Sequence, residues 1–469
     1  MYYKLKENFV LRGWKDNPYA IREINSGYVE FHTETVFQAL SLCNGQIDFD
    51  SFIVPGAYKQ VIAEVKKSGT ALEESENPFE TGFTEEQEYK LYPNRHITQV
   101  HWSITGKCNM RCRHCYMSAP QAKFGELSHE KCMSIVKEIS DAGIYNVSLT
   151  GGEPLVREDF MEIVDALLAE KITIKQIYTN GMLVNDELLD ALIERGIRPE
   201  FSLSFDGVGW HDWLRGIDGA EKIAIDAIKL LRSKGFRVTI ESAFHKKSID
   251  SIVPTMNLLA ELGVASWKTN PVAGSGNWLN EGTDLDLSHE ELYGAYLKFI
   301  PEYIKAGSPI SVMLGGFFYC SKGSTKWSSV CKKAYSDEDE RLKQPLCGCA
   351  RNMMYISADG KLLPCMPLAG LPFQITAPSI KDMTIADALI DSDYLKKITT
   401  PISELIEHNK DTCGKCEHKL SCGGGCRSAA LMGSETEDYL AADSYTCFFF
   451  KNGYEGRIQR AVSGSGVKS

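Results

Sequence analysis

Cys108-Asn109-Met110-Arg111-Cys112-Arg113-His114-Cys115 sets three thiols at Cys-x3-Cys-x2-Cys spacing, directly after an apolar run, Val100–Ile104, that reads as a β-strand. The next run, Val147–Thr150, ends in Thr150-Gly151-Gly152-Glu153-Pro154. Further strands are expected at Ile172–Thr179, Glu200–Phe205, Phe236–Glu241 and Ser266–Asn270, with helical periodicity between them, as where Cys132, Val136 and Ile139 share a face. Alternation of this kind predicts an α/β fold, a parallel sheet wrapped by helices. Six repeats suit an open partial (β/α)6 barrel better than a closed one of eight. The thiols and the paired glycines then lie at the carboxyl ends of neighbouring strands, where such sheets carry their active sites.

A cubane iron–sulfur cluster has four irons and normally takes four thiolates, so three converging cysteines leave one iron free. The alternative is a zinc knuckle with His114 as fourth ligand. Adjacent glycines at a strand end let backbone approach a ligand and bind its polar end.

The triplet and the Gly-Gly-Glu-Pro turn, on consecutive strands, resemble the radical S-adenosylmethionine (SAM) superfamily over about residues 96 to 275. The resemblance implies catalysis at the cluster held by Cys108, Cys112 and Cys115. Its open iron chelates SAM, and the backbone of Gly151, Gly152 and Glu153 helps hold the SAM amino group. Ser204-Phe205-Asp206-Gly207 with His211-Asp212 and Arg215 looks like the family's Ser-x-Asp-Gly…His-Asp-x-x-Arg stretch, which implies SAM contacts from Ser204 and Arg215. His114 stands where many relatives have an aromatic residue against adenine.

Of fifteen cysteines, ten lie beyond residue 319. They include Cys347-Gly348-Cys349, Gly360-x4-Cys365, and Cys413-x2-Cys416-x5-Cys422-x3-Cys426, followed by Cys447. Such clustering in a large chain points to metal rather than disulfides. Zinc ribbons are one reading. The run of spacings resembles the SPASM domain of peptide-modifying radical SAM enzymes, over about residues 345 to 450. That resemblance implies an outer auxiliary cluster on Cys413, Cys416, Cys422 and Cys447, and an inner one on Cys347, Cys365 and Cys426. Cys349 is the local candidate for the fourth inner ligand, with Cys331 or Cys320 as others, or the iron stays open. With the SAM-binding cluster the implied total is three [4Fe-4S] clusters. Anaerobic sulfatase maturases carry an aspartate just after the Gly-x4-Cys cysteine; Met366 stands here, which argues against formylglycine formation.

Residues 1 to about 75 loosely resemble the winged-helix leader-recognition module of ribosomal-peptide biosynthesis. Short extended pieces, Phe9-Val10-Leu11 and Tyr28-Val29-Glu30-Phe31, precede two helical patterns, Val36, Phe37, Leu40, Cys43 and Tyr58, Val61, Ile62, Val65. Such modules take an extended leader as a strand on a sheet edge; a structural extension is the alternative. An acidic stretch with Pro78 and Gly82 reads as a linker. The expected division is 1–92, a winged-helix-like α+β module plus linker; 93–310, the barrel; and 311–469, the cysteine-rich SPASM domain.

Nine Lys/Arg against fifteen Asp/Glu in residues 1–92, and −11 over the chain, argue against nucleic acid and anionic membranes as partners. No apolar run approaches the roughly 20 residues that span a bilayer, and the amino terminus lacks a secretory apolar core. The expectation is a cytoplasmic radical SAM oxidoreductase. It would crosslink a ribosomally made precursor peptide through a thioether or carbon–carbon bond, with a flavodoxin- or ferredoxin-like electron donor. Alternatives are a peptide epimerase or oxidative decarboxylase, an enzyme of small molecules, and a zinc-stapled scaffold or regulator.

Overall fold

The computed structural model describes residues 1–469 except 69–70, 120–122, 282, 317, 330–336, 349, 435–437 and 465–469. Its amino-terminal module comprises β1 (Tyr2–Leu5), β2 (Phe9–Trp14), β3 (Asn17–Glu23), β4 (Tyr28–Phe31), α1 (Glu34–Ser41), β5 (Asn44–Asp48), α2 (Gly56–Ser68), β6 (Leu72–Ser75) and β7 (Lys90–Tyr92). One sheet runs β4-β3-β2-β7 and a second runs β5-β1-β6. Both helices bury the faces read from sequence, with Phe37, Leu40, Cys43 and Ile62 in a core shared with Leu5, Phe9 and Ile21. The acidic stretch is fastened rather than loose. Buried Gln87 donates to the carbonyls of Leu5, Lys6 and Phe9, and Arg12 donates to those of Glu86 and Glu88.

The barrel strands are β8 (Gln99–Ser103), β9 (Asn146–Thr150), β10 (Thr173–Thr179), β11 (Glu200–Ser204), β12 (Val238–Phe244), β13 (Ser266–Pro271) and β14 (Ser311–Leu314). Between them lie α3 (His129–Asp141), α4 (Phe160–Ala169), α5 (Asp186–Glu194), α6 (His211–Arg215), α7 (Ala220–Ser233), α8 (Ile252–Glu261) and α9 (His289–Lys305). All six strands read from sequence are present, and the sheet continues past them. β15 (Phe318–Cys320) and β16 (Trp327–Ser329) extend it antiparallel beyond β14. At the other side β17 (Met353–Ile356) pairs parallel with β8, and β18 (Leu362–Leu363) pairs antiparallel with β17. The eleven strands run β16-β15-β14-β13-β12-β11-β10-β9-β8-β17-β18, so the sheet ends in two edges and the barrel is open. Covering β8 with a strand from the tail removes an edge that would otherwise expose unpaired backbone.

The amino-terminal module closes the end of the barrel away from the cysteines. Asn146 donates to Gly27 O (3.3 Å), Thr173 to Ile24 O (3.4 Å), and Lys175 to Ser26 O. Gly27 has φ +61°, and a Cβ there would strike the Asn146 side chain, so only glycine fits. An aromatic joint of Trp14, Tyr92, His96 and Tyr145 completes the seam, with Trp14 and His96 rings 4.5 Å apart. Burial pushes His96 down to about 4, so the joint carries a neutral ring. The carboxyl-terminal helices dock on α9, where Tyr293 donates to Tyr445 O and packs on Phe448 and Tyr454. Among the described residues no helix is long and apolar enough to cross a membrane.

Candidate active site

The loop after β8 carries all three cysteines to one cavity of about 260 Å³. Each sulfur has a donor aimed at it. Met110 N–H donates to Cys108 Sγ (3.4 Å), Arg215 Nη1 to Cys112 Sγ (3.7 Å) and Ala119 N–H to Cys115 Sγ (3.3 Å). Burial pushes the bare Cys108 thiol up to about 12 and raises Cys112, the latter opposed by Arg215. Donors that stabilise sulfur charge are what metal-bound thiolates require, since a buried thiol ionises only when something replaces water. Hydrogen bonds to cluster sulfurs also set the reduction potential. The donor set therefore fits a cluster held by Cys108, Cys112 and Cys115.

The loop is clamped from several elements. Arg113 pairs with Glu281 (3.0 Å), stacks its guanidinium over Trp213 (4.7 Å) and donates its backbone N–H to Leu214 O (2.9 Å). Asn277 N–H donates to Cys115 O (3.0 Å) and its side chain to Cys112 O (3.2 Å).

Gly151 and Gly152 line the same cavity. The backbone that approaches them is the protein's own. A Cβ at Gly151 would lie 2.5 Å from Thr105 O, and one at Gly152 would collide with Lys107 O. Gly152 and Glu153 N–H donate to those carbonyls (both 2.9 Å), which locks the cysteine loop onto the turn. With those two amides engaged, the turn's carbonyls suit a ligand's ammonium group.

Glu153 does not reach the cavity. Its carboxylate accepts from Thr179 Oγ1 (2.8 Å), Asn180 N (2.8 Å) and Leu155 N (3.2 Å), while Asn180 donates to Asn109 in the cysteine loop (2.7 Å). It joins β9, β10 and the cysteine loop from behind. Burial pushes it up to about 7 against those three donors.

Ser204 and Arg215 line the cavity. Arg215, however, is bound up with Asp206, through Nε (2.6 Å) and Nη2 (3.1 Å), and Ala243 N–H also donates to Asp206 (3.0 Å). Burial disfavours the Asp206 charge, but the Arg215 guanidinium outweighs it and holds the carboxylate well below its usual range. Asp206 N–H donates to His211 Nδ1 (2.9 Å), and the same nitrogen lies 3.2 Å from Asp206 Oδ2. His114 also lines the cavity; burial pushes it down to about 4, and its buried Nδ1 has no protein partner.

In the tail, Cys413, Cys416, Cys422 and Cys447 line one cavity with His418 and Phe450. Cys365 is a separate, partly buried thiol, raised by desolvation and then by the neighbouring Cys426 and Cys347 sulfurs. Cys422 and Cys426 thus fall in different groups although three residues separate them. Gly423, Gly424 and Gly425 make that possible, with φ of 58°, 87° and 73°. Asp443 ties the groups together. It accepts from Cys426 N–H (2.8 Å) and caps Ser444–Lys451, the helix bearing Cys447, at Tyr445 and Thr446 N–H. Cys349 and Cys331 lie outside the described residues. Cys320 is elsewhere, its sulfur donating to Ser324 O (3.2 Å) beside Tyr303. Among the described residues no three His, Cys, Asp or Glu side chains close on one point as ligands of a single metal ion.

Residues the sequence reading passed over include Asn109, Asn180, Asp206 as the partner of Arg215, and Glu241, which lines the cavity from β12. A signal existed for Glu241. Thr239 and Glu241 alternate with apolar Val238 and Ile240 in a strand otherwise suited to full burial.

A partial parallel barrel with a three-cysteine loop at the carboxyl end of its first barrel strand defines a class. Residues 102–259 match the model of the Radical SAM superfamily, and this part of the chain is a radical SAM domain. Among curated proteins, the AdoMet-dependent heme synthase of Methanosarcina barkeri is 26% identical over 376 residues, covering 74% of this chain and 96% of the relative. The PqqA peptide cyclase of Granulibacter bethesdensis is 24% identical over 337 residues, covering 70% and 82%. Among solved structures, Streptococcus suis SuiB bound to its precursor peptide SuiA superposes with a TM-score of 0.64 at 15% identity, covering 95% of this chain and 99% of that one. At that identity the match is one of fold.

Proposed function

We propose that this chain is a cytoplasmic radical SAM maturase that installs an oxidative crosslink, thioether or carbon–carbon, in a ribosomally synthesised precursor peptide. The observation that carries the reading is a single cavity lined both by the three-cysteine loop with Gly151, Gly152 and Ser204 and by Met366, the neighbour of Cys365. Chemistry begun at the first group of thiols therefore takes place beside the second. When bound, a [4Fe-4S] cluster and SAM supply a carbon-centred radical that removes a hydrogen atom from substrate. The chain's part is to hold and shield. Cys108, Cys112 and Cys115 carry the cluster, the Gly151–Gly152 carbonyls and Ser204 face SAM, and Arg215 steadies Cys112.

In the tail, Cys413, Cys416, Cys422 and Cys447 hold the outer auxiliary cluster, and Cys347, Cys365 and Cys426 the inner one. Its fourth position falls to Cys349 or to substrate. The amino-terminal module binds leader peptide, and a flavodoxin- or ferredoxin-like protein delivers electrons. The relatives named peptide cyclase and the fold shared with SuiB over nearly the whole chain support a peptide substrate. The heme synthase relative supports a second reading, an enzyme that acts on a small molecule.

One experiment separates these. Protein purified without oxygen should be brown and carry about twelve irons and as many sulfides, four for each of three clusters. Given SAM, reductant and the peptide encoded beside its gene, it should yield 5′-deoxyadenosine and a peptide lighter by two hydrogens. A colourless zinc protein overturns the assignment. Peptide loss of carbon dioxide favours an oxidative decarboxylase of peptides, and inertness toward every neighbouring peptide favours the small-molecule reading.

A further inference from the structure

The proposed crosslink, on which this inference rests, removes two hydrogens from the substrate, one from carbon and one from the joining atom X. The first leaves as a hydrogen atom to the cofactor. Closing the C–X bond then releases the second as a proton, and the one remaining electron passes to a tail iron–sulfur cluster. The proton needs an acceptor in the cavity.

Few groups there are free to take it. Both Asp206 oxygens are engaged by Arg215 and Ala243 N–H. Tyr116 and Tyr178 present phenols, whose ordinary ionisation at about pH 10 leaves neither as a phenolate. His114 lies beside the Arg215–Asp206 pair. Glu241 differs from all of these. It faces the cavity from β12, directly in register with Ser204 on β11 and with Lys268 on β13. Its side chain is 33% exposed and meets Lys268 at 3.5 Å, a loose pair that leaves carboxylate oxygen open to the lumen. Lys268 in turn lies near Cys365. The row Ser204, Glu241, Lys268 thus runs from the SAM side of the cavity to the inner cysteines.

We propose that Glu241 accepts the proton that leaves the substrate as the new bond closes, with Lys268 holding its carboxylate toward the cavity. A carboxylate suffices, because the proton departs from a centre losing an electron and is strongly acidic at that moment. Glu241 is then a catalytic residue and Lys268 a positioning one.

The test uses reconstituted full-length enzyme and the peptide that the wild type modifies. The readouts are iron per chain, peptide affinity measured without reductant, and 5′-deoxyadenosine formed per crosslink. Glu241→Gln should keep its iron and bind peptide within threefold of wild type, while 5′-deoxyadenosine per crosslink rises at least tenfold. Glu241→Asp should recover most of the coupling. Lys268→Met, which keeps the carboxylate but frees it, should raise the ratio less than Glu241→Gln does. A Glu241→Gln ratio equal to wild type overturns the proposal. So does a proportional loss of both products with weakened peptide binding, since that marks a structural role. If Glu241→Gln does not accumulate as folded protein, the Asp and Met variants decide, and unchanged ratios in both overturn the proposal. Wild-type protein that lacks iron or cleaves no SAM instead brings down the maturase reading itself.

Discussion

Truncating Asp206 should destabilise the barrel far more than truncating it together with its partner. Asp206 is fully buried and Arg215 only 9% exposed, and the two share hydrogen bonds of 2.6 and 3.1 Å. Asp206→Ala leaves a guanidinium out of water with no counter-charge, at a cost of about 3–5 kcal/mol. It also loses the bond from Ala243 N–H, about 1 kcal/mol. Asp206→Leu with Arg215→Met removes both charges and retains volume, and such replacements are near neutral, about 1 kcal/mol or less. The single substitutions should therefore be strongly non-additive, coupled by roughly 3 kcal/mol.

The assay is denaturant unfolding of the iron-free full-length chain under reducing, oxygen-free conditions, followed by circular dichroism and read for the barrel transition. Between about pH 5 and 8 the Asp206→Ala deficit should be constant, since Arg215 keeps the carboxylate charged well below that window. The contribution disappears only as pH falls through the depressed folded-state value. An Asp206→Ala deficit under about 1 kcal/mol, or a double variant that costs the sum of the singles, would refute the reasoning.

Cys112→Ala should lose about four irons and all reductive SAM cleavage while the tail retains its own clusters, as iron analysis and 5′-deoxyadenosine assays will check. Gly424→Ala places a side chain at φ +87° with its Cβ 2.7 Å from Leu405 Cδ1. A left-handed alanine costs about 1–2 kcal/mol before that clash, so iron content should fall toward the four of the SAM-binding cluster. Glu153→Gln should change the pH profile of thermal stability. The folded-state value of about 7 means the folded chain holds a proton that the unfolded chain releases near 4.5, so wild-type stability declines as pH rises across that interval. The neutral variant does not decline, and its stability relative to wild type should climb by up to about 1.4 kcal/mol per pH unit there and level off outside it. A pH-independent difference would mean that Glu153 titrates alike in both states.

The local pattern alone determined much of this protein. Alternation of apolar runs and helical periodicity placed six barrel strands within a few residues, because side-chain period follows directly from backbone geometry. The cysteine triplet and the Gly151–Gly152 turn were legible for a related reason: ligand spacing and glycine permissiveness are properties of short segments. Tertiary structure decided what depends on separation in the chain. β17 lies about 250 residues after β8 and is four residues long, yet it covers the open edge of the sheet, and no local signal announces a pairing of that range. The sequence pointed to Glu153 and Arg215 but not to their partners. Glu153 turns away to Thr179 and Asn180, and Arg215 is committed to Asp206, because a buried charge goes to whichever donors or counter-charge the fold brings nearest. The division of Cys422 and Cys426 between two groups is likewise a matter of three left-handed glycines, which only the folded backbone displays.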